Sequence, residues 1–128
     1  MEERRCSLIH GDKTATRICE DGTWYALDLR LNQDAGFYLD TRNLRQWAKA
    51  HLEGKSVLNA FAYTGSLGVA ALAGGAQAVT QLDSNPAFME IAKQSYTLNS
   101  FSVREVDFVA RDFFSAVAGF KNPSAIRP

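Results

Sequence analysis

Asp83 closes the apolar run AVTQLD and stands 18 residues beyond Gly65, which lies in the turn of VLNAFAYTGSLGVAALAGGA. Asp112 follows a second apolar run, VDFVA, and has Phe113 beside it. A carboxylate at a strand end can accept hydrogen bonds from both hydroxyls of a ribose. One that sits next to an aromatic ring can accept from an adenine amino group while the ring lies near the base. A glycine turn that feeds a helix offers unpaired N–H groups and the positive end of the helix dipole. Each residue also has a purely structural reading. Gly65 can serve only as a permissive turn, with Gly68 and Gly74 allowing close helix packing. Asp83 can cap the helix that begins near Pro86, although Ser84 and Asn85 are better placed for it, and Asp112 can cap the segment DFFSAVAGF. The glycines do not form the dinucleotide pattern G-x-G-x-x-G, because Phe61 and Tyr63 fall where a generic nucleotide loop prefers glycine.

The elements that must position these residues read as a β-α repeat. Strands are expected over 56–60, 78–82 and 106–110, with helices from about Gly65 to Ala73 and from Pro86 to Leu98. Strands separated by helices imply right-handed crossovers in a parallel sheet. The second helix is clearly punctuated: Pro86 has its φ preset for a first helical position, Asn85 or Ser84 can cap it, and Asn99-Ser100 suits a left-handed exit. Upstream, the first forty residues alternate like strands. Gly11-Asp12 and Asp21-Gly22 mark two tight turns of an antiparallel meander. A helix follows from Asp40 or Thr41 to Gly54, with Leu44, Trp47, Ala48 and Leu52 at helical spacing. The expected fold is α/β: an N-terminal β meander over 1–39, a partial Rossmann-like sheet of three parallel strands over 40–120, and an irregular tail over 121–128.

Composition narrows the classes. At 128 residues with 46% apolar side chains, the chain fits one domain with a real core. Fourteen acidic residues balance fourteen basic ones, so no global attraction to nucleic acid or acidic membranes is expected. Arg4, Arg5, Lys13, Arg17, Arg30, Arg42, Arg45 and Lys49 cluster in the first half, but acids interleave with them and a solvated face is expected instead of a phosphate track. Cys6 and Cys19 are too few for a zinc site, and with no secretory leader before them they read as reduced, structural thiols of a cytoplasmic protein. The longest apolar run falls well short of the roughly 20 residues that cross a bilayer.

The segments AGFYLDTRNLR, KSVLNAFAYTGSLGVAALAGGA, QLDSNP, AKQSYTLN and ARDFF, in this order from Gly36 to Phe114, resemble the class I S-adenosylmethionine-dependent methyltransferases of the large-subunit ribosomal RNA cytosine-C5 and guanine group. The resemblance implies that Phe61, Tyr63, Thr64 and Gly65 form the turn that holds the methionine part of S-adenosylmethionine. It implies that Asp83, with Ser84 next to it, holds the ribose, and that Asp112 and Phe113 hold the adenine. The segment GFYLDTR lies beside the cofactor in such enzymes, which makes Tyr38, Asp40 and Arg42 further candidates. RNA, ribosomal RNA in particular, would be the substrate of a complete enzyme.

The chain departs from that group after Phe114. A proline-rich acidic or amide loop that positions the target base is expected there, and NPSAIRP does not match it. The chain therefore reads as a cofactor-binding portion without turnover of its own. The first parallel strand, normally central, would then have an exposed edge, and a homodimer through that edge is expected. Two other readings fit the same elements: a nucleotide-binding Rossmann fragment, and a structural module with no ligand.

Overall fold

A computed structural model of the protein describes residues 17–27 and 41–121. Strands β1 (Arg17–Glu20) and β2 (Thr23–Ala26) pair antiparallel, with Glu20 opposite Thr23. The two residues between them, Asp21 and Gly22, have φ of 53° and 83°, the double left-handed turn that matches the twist of a hairpin. The second expected turn of the meander, Gly11-Asp12, lies outside the described residues. Cys19 in β1 corrects the expectation of reduced thiols, since it is disulfide-bonded. That expectation rested on spacing along the chain, which does not measure separation in space.

Helix α1 (Arg42–His51) follows, and then the alternation begins: β3 (Ser56–Ala60), α2 (Ser66–Ala73), β4 (Ala78–Asp83), α3 (Pro86–Leu98), β5 (Phe108–Ala110) and α4 (Phe113–Lys121). The three later strands form one parallel sheet in the order β3-β4-β5. Asn85 caps α3 as expected, its side chain accepting from the Ala87 N–H at 2.9 Å, and Ser100 takes the left-handed exit at φ 63°. The last strand is shorter than its apolar pattern suggested. Residues 105–107 form a single 3₁₀ turn, in which Arg104 grips Asp107 through two side-chain bonds and Val106 stays 41% exposed.

The hairpin and the parallel unit share a core. Tyr25 of β2 packs in one buried cluster with Val69, Met89, Ala92, Tyr96 and Phe108, and a second cluster joins Ala48 of α1 to Ala71, Ala76 and Val79. Ser95 of α3 and Asn99 just past it fasten the hairpin backbone: Ser95 Oγ accepts from the Ala26 N–H, and Asn99 bonds both the N–H and the carbonyl of Trp24. The apolar stripe of α1 is only half covered, with Ala48 buried but Leu44 and Trp47 about half exposed. Arg45 departs from the expected solvated face. Its side chain is buried, with Glu20 of β1 and Thr41 accepting from its Nε, Nη1 and Nη2.

Gly74, just past α2, lies against the backbone of Lys49 in α1. A Cβ there would lie 2.6 Å from Lys49 Cα and in contact with the Lys49 carbonyl, both backbone atoms that cannot swing away. Gly74→Ala is expected to destabilise the fold by about 1–3 kcal/mol, the usual range for overpacking. A urea melt with an unchanged midpoint would contradict this.

Candidate functional site

The loop from Phe61 to Gly65 joins β3 to α2 and is held unusually for a loop of aromatic residues. Phe61, Tyr63 and Gly65 have φ of 56°, 55° and 82°. Left-handed backbone is natural for Gly65 but sparsely populated for the two aromatics, and such conformations persist where the surroundings over-determine them. Here the surroundings are explicit. The Ala62 N–H donates to Leu82 O at 2.8 Å, the Tyr63 N–H donates to Asp83 Oδ2 at 2.9 Å, and the Gly65 N–H donates to Ala62 O at 2.8 Å. The Tyr63 ring meets Phe88 edge-on with centroids 4.5 Å apart. Gly65 is the N-cap of α2 and supplies no side chain, so no cap side chain competes for the first N–H groups of that helix.

The carboxyl ends of all three parallel strands meet at one cavity of about 230 Å³, lined by Phe61, Leu82, Asp83, Ser84, Arg111, Asp112, Phe113 and Phe114. Phe61 and Phe113 stack across it with centroids 5.0 Å apart. Asp83 Oδ2 accepts from Tyr63 and Oδ1 accepts from the Asn85 N–H at 3.1 Å, so each oxygen has one backbone partner and keeps a further lone pair. Asp112 caps α4: it accepts from the N–H of Phe114 at 3.0 Å, and from the N–H and hydroxyl of Ser115 at 3.4 Å and 2.6 Å. The Ser115 hydroxyl and the Phe114 N–H hold its carboxyl below the ordinary carboxylate range.

Of the residues singled out in the sequence, the fold brings Phe61, Asp83, Ser84, Asp112 and Phe113 to this cavity. Tyr63, Thr64 and Gly65 form the loop beside it, with Thr64 and Gly65 buried. Tyr38 and Asp40 lie outside the described residues. Arg42 is placed elsewhere, where it bonds Asp21 at 3.3 Å and lies 3.9 Å from Glu20, at the hairpin turn. Three lining residues escaped the sequence reading: Leu82, Arg111 and Phe114. Their adjacency to Asp83 and Asp112 was the available signal.

Three parallel strands joined through helices, with their carboxyl ends and two carboxylates at one cavity, define a Rossmann-like α/β domain. The sequence narrows this further, because residues 2–124 match the family model for S-adenosylmethionine-dependent methyltransferases, and the chain belongs to that family. Among curated relatives, the ribosomal RNA large subunit methyltransferase I of Aeromonas hydrophila is 37% identical over 122 residues, and that of Aeromonas salmonicida 32% over 121. Each alignment covers 93% of this chain and 31% of the relative, so the chain spans about a third of their length. Among solved structures, a Streptococcus mutans protein classed as a SAM-dependent methyltransferase superposes with a TM-score of 0.81 at 27% identity, covering 90% of this chain and 31% of that one. A methyltransferase complexed with SAH superposes with a TM-score of 0.79 at the same identity and the same coverage of both chains.

Proposed function

We propose that the chain is the S-adenosylmethionine-binding portion of an RNA methyltransferase whose complete form acts on ribosomal RNA. The convergence of Asp83, Asp112 and Phe113 on one cavity, beside a helix N-terminus with no side-chain cap, supports this reading most directly. The donor set suits the group. The free lone pairs of Asp83 accept the two ribose hydroxyls, with Ser84 at the same edge. Exposed Asp112 accepts from the adenine amino group, and Phe113 with Phe61 forms the apolar wall for its ring. The Phe61–Gly65 turn, with Tyr63 and Thr64, faces the methionine part, where the N–H groups of α2 receive its carboxylate. Tyr38 and Asp40 remain candidates by resemblance; Arg42 is engaged by Asp21 and is given no part. When bound, the cofactor supplies a methyl group on a sulfonium for in-line displacement. This chain's residues orient it. No segment of the sequence matches a base-positioning loop, so the isolated chain is expected to bind without turnover.

Saturating S-adenosylhomocysteine, at about 100 times its dissociation constant, should stabilise the protein by about 2.7 kcal/mol. The affinity should be weak, because the cavity is smaller than the roughly 300 Å³ at which small-molecule pockets begin. A thermal melt that does not move with millimolar ligand would sink the reading. One observation favours the ligand-free module instead: both carboxylates already serve the backbone of their own loops. The same titration separates the two.

Assembly and compartment belong to this reading too. Among the described residues β3 pairs on one side only, and Leu58 on it is 45% exposed next to Leu44 and Trp47. An open apolar edge templates pairing with a second chain, and a two-fold dimer closes it. Light scattering during size exclusion should give twice the 14.1 kDa chain mass, and a monomer unchanged by concentration would overturn the dimer. Among the described residues no helix is long and apolar enough to cross a membrane. In this reading the complete protein meets its ribosomal substrate in the cytoplasm, and the Cys19 disulfide is given no part in the chemistry proposed.

A further inference from the structure

Strands buried in a parallel sheet ordinarily read as continuous apolar runs, and two residues break that rule here. Asn59 in β3 and Gln81 in β4 are direct neighbours in the ladder, and both are buried, Gln81 completely. Their side chains point to the helix-covered face and form a closed network. Asn59 Nδ2 donates to Gln81 Oε1 at 2.8 Å. Gln81 Nε2 donates to the carbonyl of Gly65 at 3.2 Å and to the hydroxyl of Tyr96 at 3.3 Å. Burial pushes the Tyr96 hydroxyl up to about 12, so it stays a neutral phenol at any ordinary pH.

The network has space only because of a glycine. A Cβ on Gly68 would lie 2.6 Å from Gln81 Cδ and in contact with its amide nitrogen. The backbone of Gly68 is helical, so its small size matters here for room and not for left-handed freedom. The carbonyl that Gln81 reaches is that of Gly65, the pivot between the strained loop and α2, and the same carbonyl accepts from the Val69 N–H at 2.9 Å. A polar pair inside the sheet thus ties the floor of the domain to the loop that borders the cavity.

We infer that Gln81 is a positioning residue: seated against Gly68 and steadied by Asn59, it fixes the Gly65 carbonyl and so holds the Phe61–Gly65 loop in its ligand-ready form. The inference rests on the cofactor reading for what the loop serves, but not for whether the loop is ordered.

The test compares Gln81→Ser, Gly68→Ala, and the double variant Gly68→Ala with Gln81→Ser, whose new methyl refills the space that the shortened side chain leaves. Two quantities are measured on each. Amide exchange without ligand reports the N–H groups of Ala62, Gly65 and Val69, and calorimetry reports the dissociation constant for S-adenosylhomocysteine. Both single variants are expected to lose loop protection and to bind about three- to tenfold more weakly, the size of one lost neutral hydrogen bond. The double variant should regain melting temperature through restored packing, yet keep the fast exchange and the weak binding. If it regains protection and affinity together with stability, Gln81 is only core filling and the inference is overturned. Unchanged protection in Gln81→Ser overturns it as well. Absence of binding by the unsubstituted chain is a separate failure, that of the cofactor reading, and the exchange data then decide about Gln81 alone.

Discussion

Replacing Glu20 with alanine is expected to destabilise the protein by about 3–5 kcal/mol, the range seen when one partner of a buried ion pair is removed. Among the described residues Arg45 is the largest fully buried side chain, at 1% exposure, and Glu20 is nearly as enclosed at 11%. The pair is bidentate, with Nε on Oε1 at 2.7 Å and Nη2 on Oε2 at 2.8 Å. Nη1 donates to Thr41 Oγ1 at 2.6 Å, and the guanidinium lies 5.9 Å from the centroid of the Tyr25 ring. Without Glu20 the buried guanidinium would lose its bidentate carboxylate, and a domain of this size has only about 5–15 kcal/mol in total. The neighbouring pair is the control. Arg42 lies 3.9 Å from the same Glu20 and 3.3 Å from Asp21, but its side chain is 55% exposed, so Arg42→Ala should change stability by less than about 1 kcal/mol. Urea melts of both variants make the comparison. Equal, small losses would show that Arg45 finds water once Glu20 is gone. Replacing both partners together, Glu20→Leu with Arg45→Met, should recover much of the loss, because an apolar pair of similar volume needs no counter-charge.

The second large effect is on binding. In the reading proposed above, Asp83→Ala removes the acceptor of both ribose hydroxyls, and a hydrogen bond to a charged group contributes about 1.5–3 kcal/mol, so affinity for S-adenosylhomocysteine should fall at least about tenfold. The substitution also takes the partner from the Tyr63 N–H, which leaves a left-handed aromatic residue without one of its restraints. Asp83→Asn separates the two contributions. Its one carbonyl oxygen can still accept from Tyr63, but it cannot accept from both hydroxyls with a full charge. An intermediate loss is expected for Asn and a near-complete one for Ala, measured by calorimetry after circular dichroism confirms an unchanged fold. Equal dissociation constants across the unsubstituted chain and both variants would remove Asp83 from the site.

What the sequence by itself determined is local. The helix from Pro86 to Leu98 was legible to the residue, because Pro86, the Asn85 cap and the Ser100 exit act through bonds within a few positions of one another. The hairpin turn at Asp21-Gly22 and the strand at Ser56–Ala60 were legible as well, and the strand read over 78–82 runs one residue further, Ala78–Asp83. The convergence of Asp83, Ser84, Asp112 and Phe113 could be anticipated as well, since parallel strands joined through helices must all end on one side.

The tertiary structure alone decided the rest. Charge patterning placed Arg45 on a solvated face, and only the return of β1 across α1, 25 residues away, gives it Glu20 and buries it. The last strand, expected from Val106, begins only at Phe108, with residues 105–107 in a 3₁₀ turn. Cys19 is bonded although its spacing suggested a free thiol. Gln81 carried no visible signal beyond being polar in an apolar run, and its partners Asn59, Gly65 and Tyr96 lie 22, 16 and 15 residues away. Periodicity and capping are written in neighbouring residues, whereas the energy of a buried polar group depends on which distant partner the topology delivers to it.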